Sequence, residues 1–348
     1  MQAAFLEPRA RVKLDDYIVD LAWSPDSDAL AAIGGEGRVA LAQFAGESLT
    51  ARTLGEHMMG ALALSWQPRA ATARGDRFAT SGQDGALVLW NATDGTELRR
   101  WRPAMAATEH VAFAPDGARL ASAAGRVVTL WNADGDKLHE LPAAPSTVAA
   151  LAWDKPGRDL AAAVNGGLVV HRFDAGQPTR RLLKWEGAAL TVAFSPNGKA
   201  VASGMQDGSV HFWYLANSRD SQMRGYPGRV TQAIWSHNGR WLATGAGESI
   251  VIWDFGGKGP EGSKPLQLRG HTDRVEAMAF QPAGPYLVSG GRDWRVSLWL
   301  PGKAEQALDA HLADAEVSAI RWAPDNRHVA VGEREGMLTV YELVQAAR

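Results

Sequence analysis

The sequence predicts an all-β protein assembled from eight similar units. Two observations support this prediction: a motif of one aromatic residue and a polar turn recurs along the whole chain, and short apolar segments follow each copy at a steady offset. Such a period indicates a structure built from successive supersecondary units. The aromatic residues of the eight copies are Trp23, Trp66, Phe113, Trp153, Phe194, Trp235, Phe280 and Trp322.

Each unit contains three apolar segments separated by turn residues, followed by a weaker segment such as ELRRW (97–101) or KLHEL (137–141). Four short strands per unit of roughly 42 residues is typical of a propeller blade. The first strands are apolar on both faces, as in Val275–Phe280, which suits sheets stacked around a ring. We therefore predict one domain, residues 1–348, that forms a closed β-propeller of eight four-stranded blades. Seven blades is the alternative.

The end of the chain predicts how the ring closes. The last unit ends with Leu338–Leu343 and leaves few residues for a fourth strand. We expect the N-terminal segment Arg9–Leu14 to pair with it and complete the last blade. Closure of this kind removes the exposed sheet edges that invite aggregation.

Composition narrows the class of protein. Cysteine is absent, which excludes disulfides and thiolate metal sites. The formal net charge of −2 argues against nucleic-acid binding by the whole surface. The first residues carry early charges and no apolar run, and nowhere are 18 consecutive residues apolar, so we expect neither a secretory signal nor a membrane span. A cytoplasmic protein is the expectation, and the alanine-rich composition suggests a bacterial source.

The repeats resemble those of the WD-repeat β-propeller family, named for its Trp–Asp signature. The resemblance covers nearly the whole chain and rests on copies such as AFSPNG (193–198) with VHFW (210–213). Seven blades are usual in that family, whereas eight copies are present here. The resemblance implies buried chains of hydrogen bonds that link Asp, His, Ser or Thr, and Trp within a blade. The residues that match are His271, Ser289, Asp293 and Trp299 in the seventh unit, His57, Thr80, Asp84 and Trp90 in the second, and Ser203, Asp207 and Trp213 in the fifth, where Trp185 takes the histidine position.

The His, Ser and Asp of the seventh unit also have the composition of a hydrolase triad. However, the set occurs twice at the same repeat position with an indole attached, which indicates structural hydrogen bonds. H-E-x-x-H, G-x-S-x-G and P-loop patterns are absent, and the nine histidines do not pair at metal-ligand spacing. We therefore predict no catalytic residues, no metal and no cofactor. A ligand- or metal-binding propeller, or an enzyme, that uses the central channel is the alternative.

The resemblance implies a working surface made of the loop that enters each first strand and the turn between the second and third strands. Just before the first strand, units two to five have small uncharged residues, whereas units six, seven, eight and one carry arginine, aromatic and acidic residues. Arginine and aromatic residues are enriched at interface hot spots. The predicted partner-binding residues are Tyr17, Tyr226, Arg229, Arg274, Arg292, Trp294, Glu316 and Arg334.

These residues predict a non-catalytic scaffold that presents a rigid loop face to a protein or peptide partner. An acidic peptide, a phosphate-bearing segment or a carboxylate would suit the arginines. A nucleic-acid partner is less favoured, because the chain lacks a continuous basic strip. The alternative is that the arginines are solvated charges and that Trp294 packs on a neighbour. The sequence predicts neither the partner's identity nor the oligomeric state.

Overall fold

The computed structural model describes residues 4–70, 75–174, 177–217, 219–257 and 259–345. Every regular element in these ranges is a β-strand, and the strands form eight antiparallel sheets, one for each sequence repeat. The prediction of an all-β, eight-bladed propeller is therefore confirmed. The described residues contain no helix of the length and apolar character needed to cross a membrane.

Every blade uses the same strand order from the centre of the ring to its rim. The first strands are β2 (Ile18–Trp23), β6 (Ala61–Trp66), β10 (His110–Phe113), β14 (Ala150–Trp153), β17 (Ala193–Phe194), β21 (Gln232–Trp235), β25 (Val275–Phe280) and β29 (Val317–Trp322). The second strands are β3 (Ala29–Gly34), β7 (Arg77–Gly82), β11 (Arg119–Ala124), β18 (Ala200–Gly204), β22 (Trp241–Ala246), β26 (Leu287–Gly291) and β30 (His328–Glu333).

The outer half of each blade contains the third and fourth strands. The third strands are β4 (Arg38–Ala45), β8 (Leu87–Asn91), β12 (Val127–Asn132), β19 (Val210–Tyr214), β23 (Ser249–Asp254), β27 (Arg295–Trp299) and β31 (Met337–Gln345). The fourth strands are β5 (Ser48–Glu56), β9 (Glu97–Trp101), β13 (Lys137–Glu140), β16 (Thr179–Ala188), β20 (Asp220–Met223), β24 (Leu266–Leu268), β28 (Asp309–Leu312) and β1 (Ala4–Lys13).

In blade 4 one continuous element, β15 (Asp159–Arg172), supplies both middle strands. The Arg172 guanidinium donates to the Asp159 carboxylate at 2.7 Å, which shows that the two ends of β15 lie side by side. Gly166 and Gly167 make the bend, with φ of 95° and 117° in the left-handed region that glycine tolerates. The element is therefore a hairpin, and blade 4 has four strands like the others.

The motif aromatics join neighbouring blades. Each first strand ends at one of them, and the first strands contact one another in cyclic order from β2 to β29 and back to β2. Several of the tryptophans donate their indole N–H to a carbonyl in the first strand of the preceding blade. These bonds are Trp23 to Arg321 at 3.0 Å, Trp153 to Ala112 at 3.1 Å, Trp235 to Ala193 at 3.0 Å and Trp322 to Ala279 at 3.0 Å. The repeat motif therefore closes the ring as well as marking its period.

The N-terminal strand completes the last blade, as the sequence predicts, and it is longer than expected. β1 pairs antiparallel with β31 from Ala4 opposite Gln345 to Lys13 opposite Met337. Leu6 is buried between the blades, and the buried carboxylate of Glu342 accepts hydrogen bonds from Arg9 and from Arg327. The two ends of the described chain are thus held together by backbone pairing, apolar burial and a paired charge.

Leu6→Asp should lower the melting temperature and raise light scattering on heating, because it places a carboxylate in the apolar seam that closes the ring. We expect a loss of about 2–4 kcal/mol of unfolding free energy. Phe5→Asp is the matched control, since Phe5 lies on the same strand but is exposed. Equal effects of the two substitutions would contradict closure by β1.

Candidate functional site

One side of the ring, here called the upper face, carries the loop that enters each first strand and the turn between the second and third strands. The turn of each blade is hydrogen bonded to the loop of the next blade. The His57 amide donates to the Gly37 carbonyl at 2.9 Å, the Ala313 amide to Trp294 at 2.8 Å and the Leu14 amide to Gly336 at 2.9 Å. These contacts make the upper face a continuous surface.

In blade 7 four polar side chains form a hydrogen-bonded relay beneath that face. The His271 ring lies with Nδ1 2.9 Å from Asp293 Oδ2 and with Nε2 2.7 Å from Ser289 Oγ. The Trp299 indole donates to the same serine oxygen at 2.7 Å. Asp293 also accepts the Thr272 amide at 2.9 Å, so the relay ties the entering loop to the turn.

Blade 2 has the same relay. His57 lies 3.2 Å from Asp84 and 2.8 Å from the Thr80 hydroxyl, and the Trp90 indole donates to that hydroxyl at 2.9 Å. Asp84 accepts the Met58 amide at 3.2 Å. In both blades, therefore, the residues grouped in the sequence are within hydrogen-bonding distance of one another.

Burial lowers the pKa of His57 and of His271, although each faces a carboxylate that acts in the opposite direction. Each imidazole is therefore neutral at pH 7, donates from Nδ1 to the aspartate, and accepts at Nε2 from the hydroxyl. In blade 7 the serine oxygen accepts the indole N–H and is fully buried. The arrangement satisfies buried polar groups and pins a turn.

The fifth blade departs from the expected set. The Ser203 hydroxyl donates to the Thr191 carbonyl at 2.6 Å, and among the described residues no hydrogen bond joins it to Trp213. Asp207 accepts from Ser209 within its own turn. Trp185 stacks on His211 with ring centroids 3.8 Å apart. Here aromatic stacking takes the place of the relay, because an indole at the histidine position presents no acceptor to Ser203.

Tyr226, which the sequence analysis assigned to the partner-binding set, belongs to a hydrogen-bonded relay in blade 6. The Trp253 indole donates to Tyr226 Oη at 2.7 Å, and Oη lies 2.5 Å from Thr244 Oγ1. Burial raises the pKa of Tyr226 to about 12, so the hydroxyl remains protonated. The sequence contained a signal for this role: Tyr226 precedes Trp235 by the same nine residues that separate His271 from Phe280.

The arginines of blades 7 and 8 converge on one carboxylate that the sequence analysis missed, Glu276. Its oxygens lie 2.6 Å from Arg292 Nε, 3.6 Å from Arg274 Nε and 3.9 Å from a terminal nitrogen of Arg334. Arg334 Nε is also 3.1 Å from Glu316. Glu276 is four residues before the motif aromatic of its strand, and only its position beside three arginines distinguishes it. The cluster has three cations and two anions, and each cation lies within 4.0 Å of a carboxylate oxygen.

Trp294, Tyr17 and Arg229 also lie on the upper face. Trp294 is 49% exposed and has a φ of 63°, at the turn position where blades 1, 2, 5 and 8 have glycine. Tyr17 is 45% exposed in the loop that enters blade 1. Arg229 is exposed before β21, and within the described ranges no carboxylate lies within 4.0 Å of it.

The upper face of blades 2 and 3 is not bland. Met58 and Met59 lie in the loop that enters blade 2, Met105 lies in the loop that enters blade 3, and all three are exposed. Elsewhere, in the described part of the chain, no group of three or more His, Asp or Glu side chains is arranged to hold a metal ion.

The WD40 family model, described as "WD domain, G-beta repeat", matches residues 176–214, 219–254, 262–299 and 302–342. Each match runs from the fourth strand of one blade through the third strand of the next. The resemblance to WD-repeat proteins is therefore confirmed in the second half of the chain.

The chain is similar in sequence to several named proteins. A B-type cell cycle switch protein, ccs52A, of Medicago truncatula is 26% identical over 65% of this chain and 48% of its own length. THO complex subunit 3 of Arabidopsis thaliana is 31% identical over 40% of this chain and 44% of its own. Anaphase-promoting complex subunit cdc20 of Dictyostelium discoideum is 27% identical over 59% and 42%, respectively. The chain spans about half the length of these relatives.

A crystal structure of a computationally designed protein, Ika8, has the same fold. It superposes with a TM-score of 0.80 over 97% of this chain and 99% of its own, at 21% sequence identity. At that identity the likeness concerns the fold alone.

Ser289→Ala should destabilise the protein more than Ser122→Ala. The first leaves His271 Nε2 and the Trp299 indole N–H unpaired, whereas the second leaves only the Trp131 indole unpaired, which donates to Ser122 at 2.9 Å. Each buried group left without a partner costs about 1–3 kcal/mol. We therefore expect Ser289→Ala to lose roughly twice as much unfolding free energy, measured by urea denaturation, as Ser122→Ala. Ser81→Ala is a neutral control, because the buried Ser81 hydroxyl has no hydrogen-bond partner among the residues that the structure describes. An equal loss in all three variants would refute the relay's role.

The protein should lose stability as the pH falls below 6.5, in part through His171. Burial, reinforced by Arg180, lowers the pKa of His171 to about 4, so the unfolded chain takes up this proton before the folded one does. The stabilisation that comes from keeping His171 neutral is fully present above pH 6.5. About 2 kcal/mol of it is lost when the pH falls to 5. Urea unfolding between pH 7.5 and 5 should show a shallower pH dependence for His171→Gln. An unchanged slope would contradict this assignment.

Proposed function

Because this chain is an eight-bladed β-propeller with WD40 repeats, we propose that it is a non-catalytic scaffold that binds a protein or peptide partner on its upper face. The propeller forms a single domain over residues 1–348 in this proposal. Two relatives are named as subunits of multiprotein complexes, THO complex subunit 3 and anaphase-promoting complex subunit cdc20, which supports an assembly role. The lack of cysteine suits a reducing compartment, so we propose the cytoplasm as its location.

The observation that carries the proposal is that Trp294 is exposed and has a left-handed backbone conformation. A tryptophan in the left-handed region costs backbone strain, and an exposed indole gains little from folding. The turn nonetheless holds it half exposed, where glycine would be free of strain. Strain maintained at an exposed aromatic residue is typical of a binding site.

The arginine cluster beside Trp294 supplies the polar part of the site. Glu276 and Glu316 hold Arg274, Arg292 and Arg334 in place before a partner arrives. Association therefore orders few side chains, which lowers its entropic cost. A carboxylate or phosphate of the partner would face arginines that are already oriented, with Arg229 on the adjacent blade unpaired among the described residues.

Trp294→Gly combined with Arg292→Ala should abolish partner binding while leaving the melting temperature unchanged or higher, since glycine relieves the left-handed φ. Affinity capture from a lysate of the source organism, quantified by mass spectrometry, is the measurement. Lys155→Ala with Arg158→Ala is the matched control, because both residues are exposed in the turn of blade 4 on the opposite face.

We expect at least one protein to be captured by the wild type and by the control and to be reduced tenfold or more with the upper-face variant. Equal recovery with all three proteins would place the partner surface elsewhere and overturn this assignment.

A further inference from the structure

Three exposed methionines on the upper face are here called the methionine platform: Met58, Met59 and Met105. Their exposed fractions are 69%, 77% and 98%. They come from the loops that enter two adjacent blades. The Asp84 carboxylate accepts the Met58 amide at 3.2 Å, and the next residue in that turn, Gly85, packs against the loop of Met105. A Cβ on Gly85 would lie 2.7 Å from the Ala106 carbonyl oxygen and 3.3 Å from that of Ala104.

The methionine platform is continuous with the arginine cluster. The blade 8 turn that carries Arg334 packs through Gly336 on the segment just before Tyr17. The Tyr17 ring lies over Gly35, where a Cβ would be 1.6 Å from Tyr17 Cζ. The Gly35 carbonyl oxygen would be 2.7 Å from a Cβ on Gly60, which directly follows Met59. An unbroken surface therefore leads from cations on blades 7 and 8, across an exposed tyrosine, to apolar groups on blades 2 and 3.

Two properties make the methionine platform suited to binding. Thioether side chains are flexible and polarisable, so they adapt to apolar groups of varied shape. Exposed large apolar side chains that cluster on one face mark interaction sites on soluble proteins. Met59 also has a φ of 69°, so the loop holds this exposed side chain in a conformation that costs energy.

We propose that the partner is a peptide segment with an acidic block and an apolar block, bound along the upper face. The acidic block lies on the cluster of Arg274, Arg292 and Arg334, and Leu-, Ile-, Phe- or Met-type side chains lie on the methionine platform. The inference rests on the proposed function and extends it by naming the partner's chemistry.

Charge complementarity decides the occupant. The cations lie at one end of the surface and the apolar groups at the other, which matches a segment whose two halves differ in character. A lipid bilayer would require cations and apolar side chains to be mixed over one flat surface. The arginines lie beside Glu276 and Glu316 in a geometry suited to individual carboxylates. A peptide is therefore the favoured class.

The test uses fluorescein-labelled synthetic peptides with four Asp or Glu residues and a Leu-Phe-Met block, in both orders and with spacers of differing length. Acidic-only and apolar-only peptides have the other block replaced by serine. Fluorescence anisotropy gives each Kd. The ¹³C-methyl spectrum of the methionines, with the three platform signals assigned by substitution, reports contact directly. Anionic phospholipid vesicles serve as a separate probe.

One two-block peptide should bind at least tenfold more tightly than either single-block peptide and should shift the methyl signals of Met58, Met59 and Met105. Replacing these three residues by alanine should reduce its affinity to that of the acidic-only peptide. The control is Leu98→Ala with Leu138→Ala, two exposed leucines on fourth strands, which should change nothing.

Several results would overturn the inference. If acidic-only peptides bind as tightly as two-block peptides and the methyl signals stay fixed, the inference fails while the proposed function stands. If vesicles alone perturb the methyl signals, the surface recognises lipid and the inference fails. If no peptide binds, the partner chemistry is wrong, and the capture experiment on Trp294 and Arg292 decides the proposed function independently.

Discussion

The structure depends on one recurring constraint: the loop that enters each blade must be fixed to a turn, and the polar groups buried in doing so must be paired. Blade 7 meets the constraint with Asp293, which comes from the turn and binds the loop. Blade 1 reverses the direction, since Asp16 of the loop accepts the amides of Glu36 and Arg38 in the turn. In blade 8 the buried Glu333 accepts the amide of Ala315. The constraint is shared by the blades, whereas the residues that satisfy it are not, because any acceptor placed within reach removes the cost of burial.

This distinction explains how much could be predicted from the sequence. The number of blades was predictable because the features that set it, the motif aromatics and the apolar strands, are required in every copy by contact with the neighbouring blade. Trp235 and Trp322, for example, both donate to the blade before them. The relays were predictable only where residue types match the family. Tyr226 replaces a histidine by a phenol that both donates and accepts, so a search by residue type overlooks it while a search by spacing finds it.

The candidate site was harder to predict for the same physical reason. The arginines stand out in the sequence by type and position, but their arrangement depends on Glu276, whose importance arises only when three blade segments bring cations around it. Burial of Met58 and Met59 would have been the default expectation for apolar residues. Both are exposed instead, in a loop whose Met58 amide donates to Asp84 in the turn of the same blade. Such effects depend on tertiary contacts that no local pattern encodes.

The two complete histidine relays coincide with the two strained residues of the upper face. Outside glycine, the described residues with left-handed φ are Ser27, Met59, Trp294 and Asn326, and the first and last of these lie in turns on the opposite face. Met59 is two residues from His57 in blade 2, and Trp294 directly follows Asp293 in blade 7. A strained conformation persists only where the surrounding structure fixes it, and a carboxylate that binds both an imidazole and a backbone amide fixes it strongly. The relays therefore stabilise their blades and also hold Met59 and Trp294 in place at the surface, so stability and the proposed recognition depend on the same hydrogen bonds.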